Sequence, residues 1–416
     1  MKKADILILG AGCSGTSLAH YLEHSGYQGK VVLLDSRTRF DNEQRWCTWS
    51  KLPDSMSSLV QKSWNEWTVC DENHSTSQTS ENFHYKQIYG PQFFSFFHSE
   101  WQKNQSNVEL NLGERVEQIT ERKEFVEVTS NLETWHANIV FDARHKGSIN
   151  LNSIKNTSEI YLHQTFLGWE IEFPNEVFNE KKAILMDFRT AQIDGVNFIY
   201  VLPYSVKRAL VESTSFSTNP LGSAKHTQEL EKYIGENFGS NFSIKSKESG
   251  QLPMTSAKFP PKISERIFSI GIAGGNARPS SGYAFHRIQR QTSEIAHAIC
   301  HKKSLPLSIA ASKYNFFDDV FLNLIAKKPE SAKDSFMRLF DKVSPDILIR
   351  FLTEESSYLD DLAIVSALPK LIFGKVAIES IIRKITAKNE KPKSFTSLHN
   401  PVVKPDSRLS VRQIGG

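Results

Sequence analysis

The first 35 residues show a hydrophobic pattern that changes from strand to helix and back to strand. A short apolar run in ADILILGAG (residues 4–12) ends at glycines and predicts a buried strand. The next segment, CSGTSLAHYLEHSG, has apolar residues at helical spacing and stops at Gly26. A second apolar run, KVVLLD, follows at residues 30–35. This βαβ order predicts a parallel, doubly wound sheet.

The middle of the chain has the pattern of β-structure, and the end has that of helices. From about residue 158 to 217, runs such as IYLHQTFLGWEIEF and RALVESTSFS predict strands. A helix in TQELEKYIGENFG comes next, followed by a strand, a glycine-rich turn and a long helix. Helical spacing dominates from residue 313. The sequence therefore predicts an α/β protein with a mainly β middle part and a helical C-terminal part.

Composition narrows the class of protein. The chain has 416 residues, including 27 phenylalanines, which is enough for a large core and an apolar pocket. Its net charge of +4 gives no support to nucleic-acid binding. Four cysteines without a CxxC pair predict neither disulfides nor a metal site, and they fit a reducing cytoplasm. No stretch reaches the roughly 18 apolar residues of a membrane span, so we expect a soluble or peripheral protein.

Gly10, Gly12 and Gly15 form a GxGxxG motif between the first predicted strand and helix, and Asp35 ends the next strand. Gly10 permits a tight turn, Gly12 lets a pyrophosphate approach the backbone, and Gly15 lets the helix pack on the sheet. The helix N-terminus offers free N–H groups to phosphates, and Asp35 can accept from a ribose hydroxyl. The segment predicts dinucleotide binding; a glycine-rich turn without a ligand is the alternative.

A second glycine cluster, GIAGGNARPSSGYAF, begins near residue 271, again between a strand and a helix. Two separated nucleotide segments favour FAD over NAD, because the long FAD molecule needs a second contact near its flavin ring. Gly274 and Gly275 would let the backbone approach the ring. A helix starting after Ser280 would place its positive end near the flavin. A plain strand–helix turn is the alternative.

Several segments together resemble the bacterial, flavin-dependent lycopene cyclases of carotenoid biosynthesis. The most specific are HQTFLGWEIE, FIYVLPYSVKRALVESTSFS, GQLPMT and GIAGGNARPSSGYAFHRIQ, and the likeness extends from residue 4 to about 380. The resemblance implies an FAD-binding, Rossmann-like domain of the GR2 type, an antiparallel β-sheet substrate domain and a helical C-terminal part. It also assigns Asp142 in VFDAR and Asn276 to cofactor contacts. The implied divisions are residues 1–157 and 261–302 for FAD, 158–260 for the substrate sheet, 303–388 for a helical substrate and membrane-contact region, and 389–416 for a disordered tail.

The resemblance also implies a reaction. Lycopene cyclases convert the linear ψ end groups of lycopene to β-ionone rings by proton-initiated cyclisation, with reduced FAD but no net redox change, and NAD(P)H would reduce the flavin. The glutamate that this family requires corresponds to Glu212. The residue after it is larger or acidic in the family and is Ser213 here, so we expect an altered proton route at that point. Arg45 in EQRWCTW is shifted by one place, and Ile272 stands where many related flavoproteins have an acid.

The residue chemistry agrees with Glu212 as the acid. Protonating an alkene needs a carboxyl group in a dry pocket, where burial keeps it protonated near neutral pH. An exposed glutamate on an edge strand is the alternative. Glu170 is a second candidate acid or base, although it and Glu172 can equally face solvent. The residues with weaker claims to a catalytic or substrate-contact role are Asp187, His163, His286, Trp46, Trp49, Phe93, Phe94 and Cys13.

The C-terminal end suggests where the protein works. From Lys370 onward there are ten Lys or Arg against three acids, beside apolar helices. A basic, apolar end suits an anionic membrane surface, and a solvated tail is the alternative. We therefore expect a cytoplasmic protein at the inner face of the cell membrane, acting on a lipid-soluble carotenoid. Other hypotheses are a flavin monooxygenase, a prenyl reductase, and a pigment- or lipid-binding flavoprotein without catalytic activity.

Overall fold

A computed structural model describes residues 1–40, 44–103, 106–144, 160–257, 259–306 and 312–389. The strands are β1 Lys2–Leu9, β2 Val31–Asp35, β3 Arg45–Thr48, β4 Val60–Trp64, β5 Glu66–Cys70, β6 Ser75–Thr79, β7 Tyr85–Tyr89, β8 Val108–Leu112, β9 Val116–Glu121, β10 Val126–Ser130, β11 Thr134–Asp142, β12 Tyr161–Glu172, β13 Lys182–Asp187, β14 Gly195–Pro203, β15 Arg208–Ser217, β16 Ser243–Thr255 and β17 Ile267–Ser269. The helices are α1 Cys13–His24, α2 Asp54–Ser57, α3 Gly90–Lys103, α4 Ser223–Asn237, α5 Phe285–Cys300, α6 Ser312–Lys327, α7 Pro329–Lys342, α8 Pro345–Leu352, α9 Tyr358–Ala367 and α10 Lys370–Asn389.

The first sheet contains the predicted βαβ unit. Its strands run in the order β8-β2-β1-β11-β10-β9, with β17 also paired to β11. The strands β8, β2, β1, β11 and β17 are parallel, whereas β9 and β10 add an antiparallel meander. The continuous apolar runs of β1 and β2 are buried on both faces, as parallel strands between helices require. The Rossmann-like α/β fold expected from the sequence is confirmed.

The second sheet has the order β16-β12-β15-β14-β13-β5-β6 and is antiparallel except for the pair β13–β5. One face packs on α4, where Trp169 and Val211 meet Leu230. The opposite face turns Leu210 and Phe216 toward the C-terminal helices. Alternation along each strand therefore decides which side chains point to which layer. The strands β5 and β6 come from within residues 1–157, so this sheet draws on two of the predicted divisions.

Besides α4, two further groups of helices pack on the sheets. Helices α1 and α5 lie together beside the first sheet, where the Tyr21 hydroxyl donates to Gln289 at 3.1 Å. Helices α6, α7 and α8 cover the second sheet. The helix expected after Ser280 begins only at Phe285, because Pro279 and the turn at Gly282, with φ +70°, precede it.

The structure describes the C-terminal part of the chain up to residue 389. The expected helical region is present as α6 to α10. Within the residues described, no helix is both long and apolar enough to cross a bilayer. The predicted disordered tail, residues 389–416, lies outside the described residues except for Asn389, which ends α10.

Candidate active site

A cavity of about 620 Å³ lies between the two glycine segments, the second sheet and the C-terminal helices. Its volume is in the range typical of small-ligand sites. Gly12, Cys13 and Ile272 line the nucleotide end. The far end is apolar and aromatic, and it includes Phe198, Phe216, Phe317, Phe321, Phe336 and Phe351. The cavity therefore joins a dinucleotide loop to a space suited to a hydrocarbon.

The first glycine loop has the geometry that a pyrophosphate needs. Gly10 has φ +95°, and a Cβ at Gly15 would overlap the Gly10 carbonyl oxygen, so α1 packs closely on the turn. A Cβ at Gly12 would meet none of the described residues within 4 Å. No described side chain caps α1 and its first turn contains no acid, so its first N–H groups are left for a ligand at the end of the cavity that Gly12 and Cys13 line. This loop fits the phosphates of FAD.

Asp35 lies at the end of β2, as predicted, and its carboxylate is already bound on two sides. The Ala11 N–H donates to Oδ2 at 2.8 Å, and the Arg37 guanidinium donates to both oxygens at 2.9 and 2.6 Å. Burial alone would raise the pKa of Asp35, but the Arg37 hydrogen bonds outweigh it and lower the pKa below its ordinary value. A ribose hydroxyl at Asp35 stays a prediction.

The second glycine segment touches the cavity through Ile272 and Ala273. Gly274 and Gly275 lie behind them in the turn, and Gly275 has φ +82°. The Asn276 side chain donates to the Gly271 carbonyl at 3.1 Å and so holds the turn together.

Asp142 ends β11 and accepts hydrogen bonds from the Arg144 guanidinium at 2.9 and 2.8 Å. Like Asp35, it ends a parallel strand and is held by the arginine two residues later. Direct cofactor contacts by Asp142, Gly274, Gly275 and Asn276 stay predictions.

Four buried polar atoms of cavity-lining residues have no hydrogen-bond partner among the described residues. They are Trp49 Nε1, Gln87 Oε1, Gln164 Oε1 and Ser281 Oγ. Gln164 and Ser281 lie near the second glycine segment, because Ser281 precedes Gly282 and a Cβ at Gly282 would overlap Gln164 Oε1. Buried polar atoms normally have partners, so these two fit a ligand with polar edges, such as a flavin ring.

Glu212 lies on the cavity wall, in the middle of β15. The Thr214 hydroxyl donates to its Oε1 at 2.7 Å. Burial raises the pKa of Glu212 to about 8, the negative charge of Glu248 adds to the rise, and Thr214 and Arg45 oppose it. The carboxyl group is therefore mainly protonated at neutral pH, and the alternative of an exposed edge-strand glutamate is wrong.

Glu170 is buried next to the cavity, but two arginines hold its carboxylate. Arg45 pairs with one oxygen and Arg208 with the other, and Ser246 donates to Glu170 at 3.1 Å. Its neighbour Glu172 stays half-exposed in an ion pair with Lys245. Glu170 therefore holds Arg45 in place from beside the cavity, and its role as an acid or base stays a prediction.

Arg45 and Glu248 are two charged wall residues that sequence reasoning missed. The Arg45 guanidinium lies 3.3 Å from Glu248, and both side chains are at least nine-tenths buried. In the sequence Arg45 stands out only by its shifted position, and Glu248 lies two residues before GQLPMT. The run SIKSKESGQLPMT has no alternation of apolar and polar residues, so its pattern does not predict the long strand β16.

The expectation that Ser213 changes the proton route is wrong, because its side chain does not face the cavity. Successive residues of β15 face opposite sides of the sheet, so Ser213 points toward α4 and away from Glu212. There the Ser213 hydroxyl contacts His226 Nδ1 at 2.9 Å, and His226 Nε2 contacts Thr165 at 3.1 Å. Ser213 therefore belongs to the packing behind the sheet.

Three phenol groups line the cavity next to Glu212. Tyr200 donates to the Tyr85 hydroxyl at 2.8 Å, and Tyr85 and Tyr283 are joined at 2.9 Å. Burial raises the pKa of each of these tyrosines, so all three stay neutral. Burial likewise raises the pKa of Cys13 to about 12, in agreement with a packing role. These residues offer aromatic surface and neutral hydroxyls to a ligand.

Comparisons with known proteins identify lycopene beta-cyclases as similar sequences. The chain is 24% identical to the lycopene beta-cyclase of Pantoea ananas over 225 residues, which is 50% of this chain and 56% of that protein. Alignments with this and four further plant and bacterial lycopene beta-cyclases span only 29% to 60% of those proteins.

Solved structures share the fold. A flavoprotein/dehydrogenase from Cytophaga hutchinsonii superposes with a TM-score of 0.60 at 15% identity, covering 92% of this chain and 100% of that chain. A halogenase in complex with phloroglucinol and FAD superposes with a TM-score of 0.56 at 11% identity, covering 94% and 93%. The family model described as lycopene cyclase protein matches residues 5–376, so the resemblance is confirmed and this chain belongs to that family.

Proposed function

We propose that this chain is a lycopene beta-cyclase that converts linear ψ end groups of lycopene, or of a related carotenoid, to β-ionone rings. The observation that carries the proposal is Glu212, a buried carboxyl group that is protonated near neutral pH on the wall of an apolar cavity. An unactivated alkene accepts a proton only from an acid that is kept dry and close. The family membership supports the same reaction.

In the proposed mechanism the aromatic end of the cavity holds the hydrocarbon and excludes water. Glu212 transfers its proton to the terminal alkene of the substrate, and the second double bond closes the ring. Tyr85, Tyr200 and Phe216 line the same cavity as Glu212, and their π electrons would stabilise the ring cation. Thr214 orients the Glu212 carboxyl group through its hydrogen bond. Loss of a proton from a neighbouring carbon then completes an isomerisation.

The cofactor of the proposed enzyme is FAD. Gly12 and the first turn of α1 would hold its pyrophosphate, and Ile272 and Ala273 would border its ring. When bound and reduced by NAD(P)H, FAD supplies negative charge near the substrate cation.

The test is to express the chain in cells that accumulate lycopene and to identify the pigment. We expect a cyclic carotenoid with the mass of lycopene, and no cyclic pigment from a Glu212→Gln variant that still binds FAD. A product heavier by oxygen, or changed by two hydrogens, would show a monooxygenase or a reductase instead. Bound lycopene that is never converted would leave only a binding protein.

A membrane surface fits the helical end, and we extend the proposal to it. Exposed apolar side chains cluster on α9 and α10. They are Tyr358, Leu359, Leu362, Val365, Leu371, Ile378, Ile381, Ile382 and Ile385. Lys370 and Lys375 are exposed between them and suit anionic headgroups. Phe373 of α10 meets Phe321 on the cavity wall, with ring centroids 5.2 Å apart, so this surface is close to the apolar end of the cavity.

This part of the proposal has a matched control, because Leu362 and Leu132 are each 64% exposed at different places. Leu362→Ser should weaken binding to anionic vesicles by about 1 kcal/mol, or roughly fivefold, through lost apolar burial. Leu132→Ser should leave vesicle binding unchanged. Equal effects of the two variants in a vesicle sedimentation assay would contradict docking through α9 and α10.

A further inference from the structure

Two glutamates face the cavity from opposite sides of one glycine. The strand register pairs Gly168 of β12 with Glu212 of β15 on one side and with Glu248 of β16 on the other. Residues directly opposite one another project from the same face of a sheet. With neighbouring strands about 4.8 Å apart, the two glutamate Cα atoms are about 10 Å apart, with no side chain between them. Both glutamates line the cavity.

The surroundings of the two carboxyl groups differ in charge. Among the described residues, Glu212 makes no ion pair, and its polar contact is the Thr214 hydroxyl at 2.7 Å. Glu248 lies 3.3 Å from the Arg45 guanidinium, whose side chain is only 4% exposed. Arg45 is itself fixed by Glu170 and Ser246. A nearby fixed cation favours the charged form of a carboxyl group, whereas burial without one favours the neutral form.

We propose that Glu248 is the proton acceptor of the cyclisation. The inference rests on the proposed function, because it assigns the second half of that reaction. Environments that separate two carboxyl groups in this way typically mark an acid and a base.

The step balances without any other reactant. Glu212 gives a proton to the terminal alkene, the π electrons of the second double bond form the ring bond, and the cation moves onto the ring. The Glu248 carboxylate takes a proton from the ring carbon next to the cation, and that C–H electron pair becomes the ring double bond. Substrate and product are isomers. The proton gained by Glu248 must then return to Glu212, and the space over Gly168 lies between them.

The position of the acceptor also determines which isomer forms. A ring cation has more than one neighbouring carbon that carries hydrogen, and each gives a different ring double bond. A base fixed by Arg45 on one side of the cavity removes one of these protons in preference to the others. Glu248 therefore both accelerates proton loss and selects the position of the ring double bond.

The test compares Glu248→Gln with Glu172→Gln, a control that removes a half-exposed carboxylate of the same sheet outside the cavity. Glu248→Gln should lower ring formation on the order of 10²-fold and shift the product toward other ring isomers or water-trapped alcohols. Glu172→Gln should match the wild type in rate and product. Both variants should keep bound FAD, which flavin absorbance checks. Wild-type rate and product in Glu248→Gln would overturn the inference, whereas a wild type that forms no rings would overturn the proposed function itself.

Two further variants decide the matter if Glu248→Gln does not fold. Glu248→Asp keeps a carboxylate on a shorter stem and should retain ring formation with a shifted isomer ratio. Gly168→Ala places a Cβ 3.1 Å from Glu248 Cγ and 3.1 Å from Leu210 Cδ1, so it should displace Glu248 and also alter the isomer ratio. An unchanged ratio in both variants would show that Glu248 only anchors Arg45.

Discussion

The first glycine loop and the second sheet hold carboxylates in different electrostatic environments. Beside the glycine loops, Asp35 forms an ion pair with Arg37, and Asp142 forms one with Arg144. Each arginine lies two residues after its carboxylate in the chain. On the sheet, Glu212 is partly buried on the cavity wall and has only a hydroxyl as its polar contact among the described residues. The pKa of Asp35 is lowered and that of Glu212 is raised. The difference shows that burial alone does not set the charge of a carboxyl group, because a fixed cation partner can reverse its effect.

The largest expected effect comes from removing the acid at the sheet end. Glu212→Gln keeps the shape of the side chain but has no proton to donate, so ring formation should fall by about 10²- to 10⁴-fold. FAD binding should be unchanged, because the loop end is untouched. Pigment formation by the purified enzyme, with flavin content measured in parallel, checks this. Retained activity would remove Glu212 from the role of acid.

At the first glycine loop, two glycine variants distinguish an effect on protein stability from an effect on FAD binding. Gly15→Ala forces a methyl group against the Gly10 carbonyl and should cost about 3 kcal/mol of unfolding free energy, together with FAD binding. Gly12→Ala places its methyl group in open space, so it should leave stability nearly unchanged and weaken only FAD binding. Urea denaturation and flavin titration measure the two effects. Equal FAD affinity of Gly12→Ala and the wild type would argue against a pyrophosphate at this loop.

Glu170 tests whether a carboxylate with cation partners takes part in the chemistry. Glu170→Gln removes the negative charge that pairs with Arg45 and Arg208 and should cost about 2 kcal/mol of stability. Arg45 keeps Glu248, so ring formation should stay within about tenfold of the wild type. Thermal unfolding and pigment formation are the measurements. Complete loss of activity in a stable variant would instead support Glu170 as a second acid or base.

The smallest effect is a pH dependence that follows from the raised pKa of Glu212. The protonated fraction falls above about pH 8, so the rate should be about tenfold lower at pH 9 than at neutral pH. The folded protein holds this proton up to about pH 8, whereas the unfolded chain loses it near 4.5. The free energy of unfolding should therefore fall as the pH rises between these values, and Glu212→Gln should flatten that slope. A rate that increases with pH would indicate that the carboxylate is the active form.

Local patterns determined much of this protein. The apolar runs around the GxGxxG motif specified β1, α1 and β2, because a strand buried on both faces and an amphipathic helix each leave their own periodicity. The motifs of the middle segment indicated the family, and that resemblance, rather than the apolar run around Glu212 alone, favoured an acid in a pocket. These features depend on residues close together in the sequence.

Only the tertiary structure decided how the carboxylates are charged and which way they face. Strand register places Glu248, Gly168 and Glu212 in one row, although Glu248 comes from a strand without apolar alternation. Packing brings Arg45 from a distant strand to Glu170 and Glu248, and it turns Ser213 to the far side of the sheet. The charge of a buried group depends on the groups within a few ångströms of it. Its sequence neighbours do not specify those groups, so the roles of these glutamates could not be read from the chain alone.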